Sequence, residues 1–222
     1  MSSNYQNQID WRFSKNLVPF EESLDFMKDH VEKIVTGNAK EMIWVLEHPP
    51  VYTAGVSAKE EDFVGQTSHP IIQTNRGGKY TYHCPGMKII YVILDLKKLF
   101  AISNKKPDIA YFVNFLEEWV IDLLSAYKIE GKIRKDRVGI WVEDGSSESK
   151  VAAIGIKVRK WVSYHGIAIN VNPDLSGFNK IIPCGIKDFG VTSIEKLGKD
   201  LDIDFNEQIA TSFNRILNKN FS

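Results

Sequence analysis

Leu24, Met27, Val31 and Ile34 fall three or four residues apart after Pro19, and Gly37 stands where such a run would end. That spacing predicts an amphipathic helix, because residues at this period share one face and Pro and Gly mark its two ends. A strand is predicted over Glu41-Met-Ile-Trp-Val-Leu-Glu47 and closed by His48-Pro49-Pro50, where prolines remove ladder donors and the chain is expected to leave the sheet. Further strands are expected at 70–74, 79–83, 88–94, 138–143, 151–159 and 162–171, mostly β-branched or aromatic and bounded by Gly or Asn. Ile109, Val113, Leu116, Val120, Leu123 and Tyr127 predict a long helix begun by Pro107-Asp108, and residues 203–217 a weaker one. Strands in series with helices set apart predict an α+β fold: a mixed or antiparallel sheet with flanking helices. No Pro/Ser/Gly-rich linker or internal repeat divides the 222 residues, so residues 1–222 are expected to form one domain.

Composition narrows the class. Apolar residues make up 43% and charged residues 25% of the chain, the balance of a globular protein rather than a disordered tail. Lys plus Arg and Asp plus Glu both number 28, so no overall field favours nucleic acid or a membrane. Positive charge gathers locally at Lys132-Ile-Arg-Lys-Asp-Arg137 and Lys157-Val-Arg-Lys160, each read most simply as a solvated face. The longest apolar run, Ile89 to Leu94, fits a buried strand and is far too short for a bilayer. The first residues carry no basic-then-apolar leader, and the two cysteines, Cys84 and Cys184, form no CxxC. A reduced, cytoplasmic protein with no metal and no cofactor is expected.

The densest cluster of special residues is Asn75-Arg-Gly-Gly-Lys-Tyr-Thr-Tyr-His-Cys-Pro-Gly86. Paired glycines permit close backbone approaches, and Arg76 and His83 supply polar heads, so a binding loop and a plain hairpin turn are both open readings. It is not a phosphate-binding P-loop, because Tyr80 follows Lys79 where Ser or Thr is required. In Tyr164-His-Gly-Ile-Ala-Ile-Asn170 the glycine inside a strand marks a bulge or a close approach, and His165 alone reads as a satisfied core histidine. Cys184, between Pro183 and Gly185, lies in a bend rather than a packed strand. Lys150, beside a Ser-rich stretch, would by itself be placed on the surface. Together the two suggest a cysteine acyltransferase, since a thiol attacks as its thiolate and a nearby amine favours that form.

Taken in order, Arg76-Gly-Gly, Thr81-Tyr-His-Cys-Pro-Gly86, Lys150-Val-Ala-Ala-Ile-Gly155, Tyr164-His-Gly-Ile-Ala-Ile-Asn170 and Pro183-Cys-Gly-Ile186 resemble the lipoyl(octanoyl) transferases, over nearly the whole chain. The resemblance implies the fold of the biotin and lipoate protein ligases, with Cys184 as the nucleophile and Lys150 lowering its pKa. It assigns acyl-group binding to Arg76, Gly77, Gly78, Lys79, Tyr80, Thr81, Tyr82 and His83, to Ala153, Ile154 and Gly155, and to Gly166, Ile167 and Ala168. It implies transfer of octanoyl from octanoyl-acyl carrier protein to a lysine of lipoyl domains in 2-oxoacid dehydrogenases and the glycine-cleavage H protein, without nucleic acid or membrane partners. The family pattern His-Gly-Pro-Gly-Gln reads His83-Cys-Pro-Gly-Met87 here, which places a second thiol near the expected pocket. An ATP-dependent lipoate-protein ligase is the alternative on this fold, but the chain has no Gly-Arg-Gly-Arg-type adenylate loop. A non-catalytic carrier-binding scaffold is a second alternative, disfavoured by Lys150 and Cys184.

Overall fold

Both faces of the central strands are buried, which is why their sequences read as unbroken apolar runs rather than as alternation. The computed structural model describes residues 5–135, 137–145, 147–182, 189–199 and 204–221. In chain order the elements are β1 (Asp10–Phe13), α1 (Phe20–Val35), β2 (Met42–Leu46), β3 (Val51–Ala54), β4 (Ile71–Gln73), β5 (Tyr80–His83), β6 (Met87–Ile93) and α2 (Leu96–Ala101). They continue with α3 (Ile109–Ser125), β7 (Lys132–Arg134), β8 (Arg137–Asp144), β9 (Ser147–Arg159), β10 (Val162–Asn170), β11 (Gly190–Val191) and α4 (Phe205–Phe221).

Among the described residues the main sheet has eight strands in the order β1-β2-β6-β10-β9-β8-β7, with β11 added beside β9. Pairing is antiparallel except for β1 with β2 and β11 with β9, so the sheet is mixed, as expected of the α+β class. A smaller sheet, β4-β3-β5, stands apart from it. No helix among the described residues is long and apolar enough to cross a membrane.

Period-two alternation divides the side chains between two cores. Ile43, Val45, Ile90, Val92, Ile167 and Ile169 point to one face, where α3 and α4 cover them with Phe112, Phe115, Leu116, Trp119, Phe213 and Leu217. Their sequence neighbours Trp44, Leu46, Ile89, Tyr91 and Ala168 point the other way, under α1 and the small sheet. The helix face is packed with rings, such as Trp119 against Phe213 at 4.9 Å between centroids, and the Trp119 indole N–H donates to the Ile209 carbonyl at 3.0 Å.

The predicted helices and strands are present with shifted ends: α4 runs on to Phe221, and its expected start, at Ile203, lies outside the described residues. The prolines at 49 and 50 do end β2, but the chain re-enters pairing at once, in β3 of the small sheet with Val51 opposite His83. Strand β9 begins four residues earlier than expected, at Ser147, which takes Lys150 out of the loop and into the sheet.

Candidate active site

A cavity opens on the α1 side of the sheet, floored by β6, β9 and β10 and walled by the loop before β5 and by Phe20 at the start of α1. The loop is clamped by its backbone. Gly77 N–H donates to Ile156 O at 3.1 Å, while Val56 and Ser57 donate to the Arg76 and Gly78 carbonyls at 3.0 and 3.1 Å. Arg76 is buried and its guanidinium donates to the Thr53 carbonyl and hydroxyl at 2.7 and 2.8 Å and to Gly77 O at 2.9 Å. Two glycines fit the loop closely to the sheet. Gly78 has φ +86°, and a Cβ on Gly155 would lie 3.3 Å from the Gly77 carbonyl oxygen. Lys79 is drawn toward Asp62, with Nζ 2.9 Å from its carboxylate.

Of the residues assigned from sequence, Arg76, Gly77, Gly78, Lys79, Tyr80, Thr81 and His83 meet around this cavity with Ala153, Ile154, Gly155, Gly166, Ile167 and Ala168. Tyr82 does not line it. Alternation along β5 turns its ring to the opposite face, against Tyr52 at 4.8 Å and Phe178 at 5.8 Å. Met87 lines the cavity, whereas Cys84 is not among the lining residues. The Cys84 thiol is packed in the adjoining core, and burial pushes it up to about 11, a poor setting for a thiolate.

Lys150 is 5% exposed. Its burial on the cavity side follows from a β-bulge: the β8–β9 register runs Ile140 opposite Ala152 but Trp141 opposite Lys150, leaving Val151 as the extra residue. Val151 and Ala152 therefore both enter the helix-side core, and Lys150 faces the cavity with Ala153 and Gly155. Its Nζ donates to the Val138 carbonyl at 3.0 Å and lies 4.7 Å from the centre of the Trp141 ring. Cys184 lies outside the described residues. The chain on either side of it is fixed, however: Ile182 N–H donates to Asp62 O at 2.8 Å, and Val191 in β11 pairs directly with Lys150.

His48 and His165 pack against Tyr91 at the floor of the cavity, and His83 packs against His48 and Phe20. His48 bonds Val18 O at 2.6 Å through Nδ1 and the Tyr91 hydroxyl at 2.7 Å through Nε2. Burial lowers it to about 4 and His165 to about 3; His83, fully enclosed, is also held well below its ordinary value by burial. All three are therefore neutral near pH 7. His165 adopts φ +60°, which turns its backbone N–H out of the sheet to Met27 Sδ at 3.4 Å. Its Nε2 has no hydrogen-bond partner, so it is a core histidine without the satisfied ring expected of one. At Gly166 the β9 register is continuous, so the glycine marks no bulge; a Cβ there would fall 2.1 Å from the Ile90 carbonyl oxygen. Phe20, His48 and Tyr91 were not foreseen as site residues, and the His48-Pro-Pro sequence signalled only a strand end.

The two basic clusters are partly neutralised within the chain. Arg134 and Arg137 both pair with Glu148, Lys132 pairs with Glu143, and Arg159 and Lys160 pair with Glu32.

The mixed sheet with its flanking helices gives the fold class of the lipoate and biotin protein ligases. A bipartite lipoate protein ligase from Thermoplasma acidophilum superposes with a TM-score of 0.69 at 16% identity, over 95% of this chain and 84% of that one. A biotin protein ligase from Aquifex aeolicus does so with a TM-score of 0.50 at 17% identity, over 94% and 69%. Within that class, residues 19–214 match the lipoyl protein ligase A/B catalytic domain, and the chain belongs to this family. An octanoyltransferase from Bartonella quintana is 45% identical over 92% of this chain and 87% of its own length. Another, from Ehrlichia chaffeensis, is 43% identical over 94% and 95%.

Proposed function

We propose that this octanoyltransferase of lipoate biosynthesis carries the acyl group on Cys184, taking it from octanoyl-acyl carrier protein and delivering it to a lysine of a lipoyl domain. The Cys184 thiolate attacks the carrier thioester, and the carrier sulfur leaves and takes a proton. The acceptor lysine amine then attacks the enzyme thioester, forming the amide and returning the thiol. Thioester exchange is nearly balanced and amide formation runs downhill, so neither step requires ATP. The acceptors are the lipoyl domains of 2-oxoacid dehydrogenases and the glycine-cleavage H protein, met in the cytoplasm by the whole chain acting as one catalytic domain.

The observation that carries this reading is Lys150 itself, buried on the strand that pairs with β11, a segment that begins six residues after Cys184. A lysine amine beside a thiol favours the thiolate, as its neutral amine or through its charge, and its N–H donors stabilise each tetrahedral oxyanion. The cavity next to it suits an alkyl chain: Met87, Ile89, Ala153, Ile154, Ile167, Ala168 and Phe178 offer apolar walls, and each buried methylene contributes about 0.8 kcal/mol.

Intact-mass spectrometry after mixing the protein with octanoyl-acyl carrier protein, without ATP or magnesium, tests it. One octanoyl group should appear on the protein, map to Cys184, and be absent from Cys184→Ser. An adduct on Cys84, or a strict need for ATP, would overturn the reading.

A further inference from the structure

Helix α3 turns an apolar flank to the sheet, formed by Phe112, Phe115, Leu116, Trp119, Val120 and Leu123, yet it also buries a carboxyl group, Glu117, at 6% exposure. Burying such a group among apolar neighbours is costly unless it finds a partner. Its partner is the backbone: Gly139 N–H donates to Glu117 Oε1 at 3.3 Å. That N–H belongs to the same peptide group as the Val138 carbonyl, which accepts from Lys150 Nζ at 3.0 Å. One peptide unit thus stands across the sheet, its N–H toward the helix and its C=O toward the lysine.

The backbone is shaped for this. Gly139 has φ +118°, and a Cβ there would lie 2.7 Å from the Ala152 carbonyl oxygen and 3.2 Å from Lys150 Cε. The glycine and the bulge at Val151 together turn the peptide and the lysine to meet. Hydrogen bonds in series polarise one another, so a carboxyl oxygen accepting from the N–H makes the carbonyl at the other end a stronger acceptor for an ammonium. We propose that Glu117 is a positioning residue for Lys150, acting through the Val138–Gly139 peptide group from the opposite face of the sheet. This rests on the reading that Lys150 serves the Cys184 thiol. Among the described residues, Arg137 and Glu148 pair with each other beside Trp141, the ring that Lys150 also faces.

The test is a double-mutant cycle with two readouts, kcat against KM for octanoyl transfer and the pH midpoint for alkylation of Cys184. Glu117→Leu should lower kcat by up to about 10²-fold, the scale of a small misplacement of a reacting group, with KM for the carrier unchanged. Its alkylation midpoint should move up toward that of Lys150→Ala. Glu117→Gln keeps an acceptor oxygen for Gly139 and should restore most of kcat. In the Lys150→Ala background Glu117→Leu should add no further loss. If the two losses multiply, or if Glu117→Gln falls as far as Glu117→Leu, the inference is wrong while the role of Lys150 stands. If Lys150→Ala itself keeps parent turnover, the reading of Lys150 fails and the inference with it. Should Glu117→Leu not fold, Glu117→Ala takes its place in the same cycle.

Discussion

The two faces of the main sheet are made from alternate residues of the same strands and are built to opposite ends. On the α3/α4 face nearly everything is apolar and interlocked, with Trp119, Phe115, Phe213 and Phe221 packed edge to face. On the α1 face the same strands meet three neutral histidines, a buried arginine and a run of glycines, and a cavity remains between them. Ile90 and Val92 serve the first face and Ile89 and Tyr91 the second, one residue apart. Close packing on one side carries the stability that lets the other side leave space and bury polar groups. Apart from Glu117, stability and transfer should accordingly respond to different substitutions.

The largest expected effect on stability is on the helix face. Trp119→Ala should cost about 3–5 kcal/mol in denaturant unfolding, the range for deleting a fully buried aromatic ring. Turnover per folded molecule should stay near the parent's, and an equal loss in kcat would dissolve the division between the faces.

The cavity face should yield first to acid. His48 and His165 sit at about 4 and about 3 in the folded chain but near the ordinary 6.5 when unfolded. The unfolded state therefore takes up protons first, and the stability from these rings, complete above pH 6.5, is lost as pH falls toward 4, at roughly 1.4 kcal/mol per unit of displacement. Urea midpoints measured from pH 7 to pH 4 should fall less in His48→Gln than in the parent, a comparison in which the opposite contribution of buried Glu41, raised to about 7, cancels. An unchanged slope in His48→Gln would mean that its ring is not held neutral.

The smallest effect concerns the two thiols. Cys84 is buried away from the cavity lining with its pKa raised, so Cys84→Gly should leave transfer near the parent rate, as measured by steady-state turnover.

The long helices and strands were legible because their period extends over many residues. Some short elements were not: β3 is buried throughout and shows no alternation, and α2, capped by Asp95, is under two turns. The site was legible as a set of motifs, but their orientation was not. Alternation turns Tyr82 away while keeping Thr81 and His83 at the cavity, and the bulge at Val151 buries a lysine that its Ser-rich neighbours place at the surface. A bulge depends on the register of two strands, which a single strand's composition does not encode. His48 was read only for the prolines after it, although its ring packs beneath the cavity against Tyr91.

Strands β9 and β10, the longest among the described residues, are joined by only Lys160 and Trp161, both at positive φ although neither is Gly or Asn. Arg159 pairs with Val162 across that turn, and the ladder continues back to Ala152 opposite Ile169. Contacts this local require little loop closure, so in folding this hairpin has a kinetic advantage over pairings such as β10 with β6, which join distant parts of the chain. The cavity floor at Gly155 and Gly166, together with the strand that bears Lys150, belongs to the part of the molecule best placed to organise early. The tight turn gives the chain a template on which the remaining strands and both helical layers can assemble.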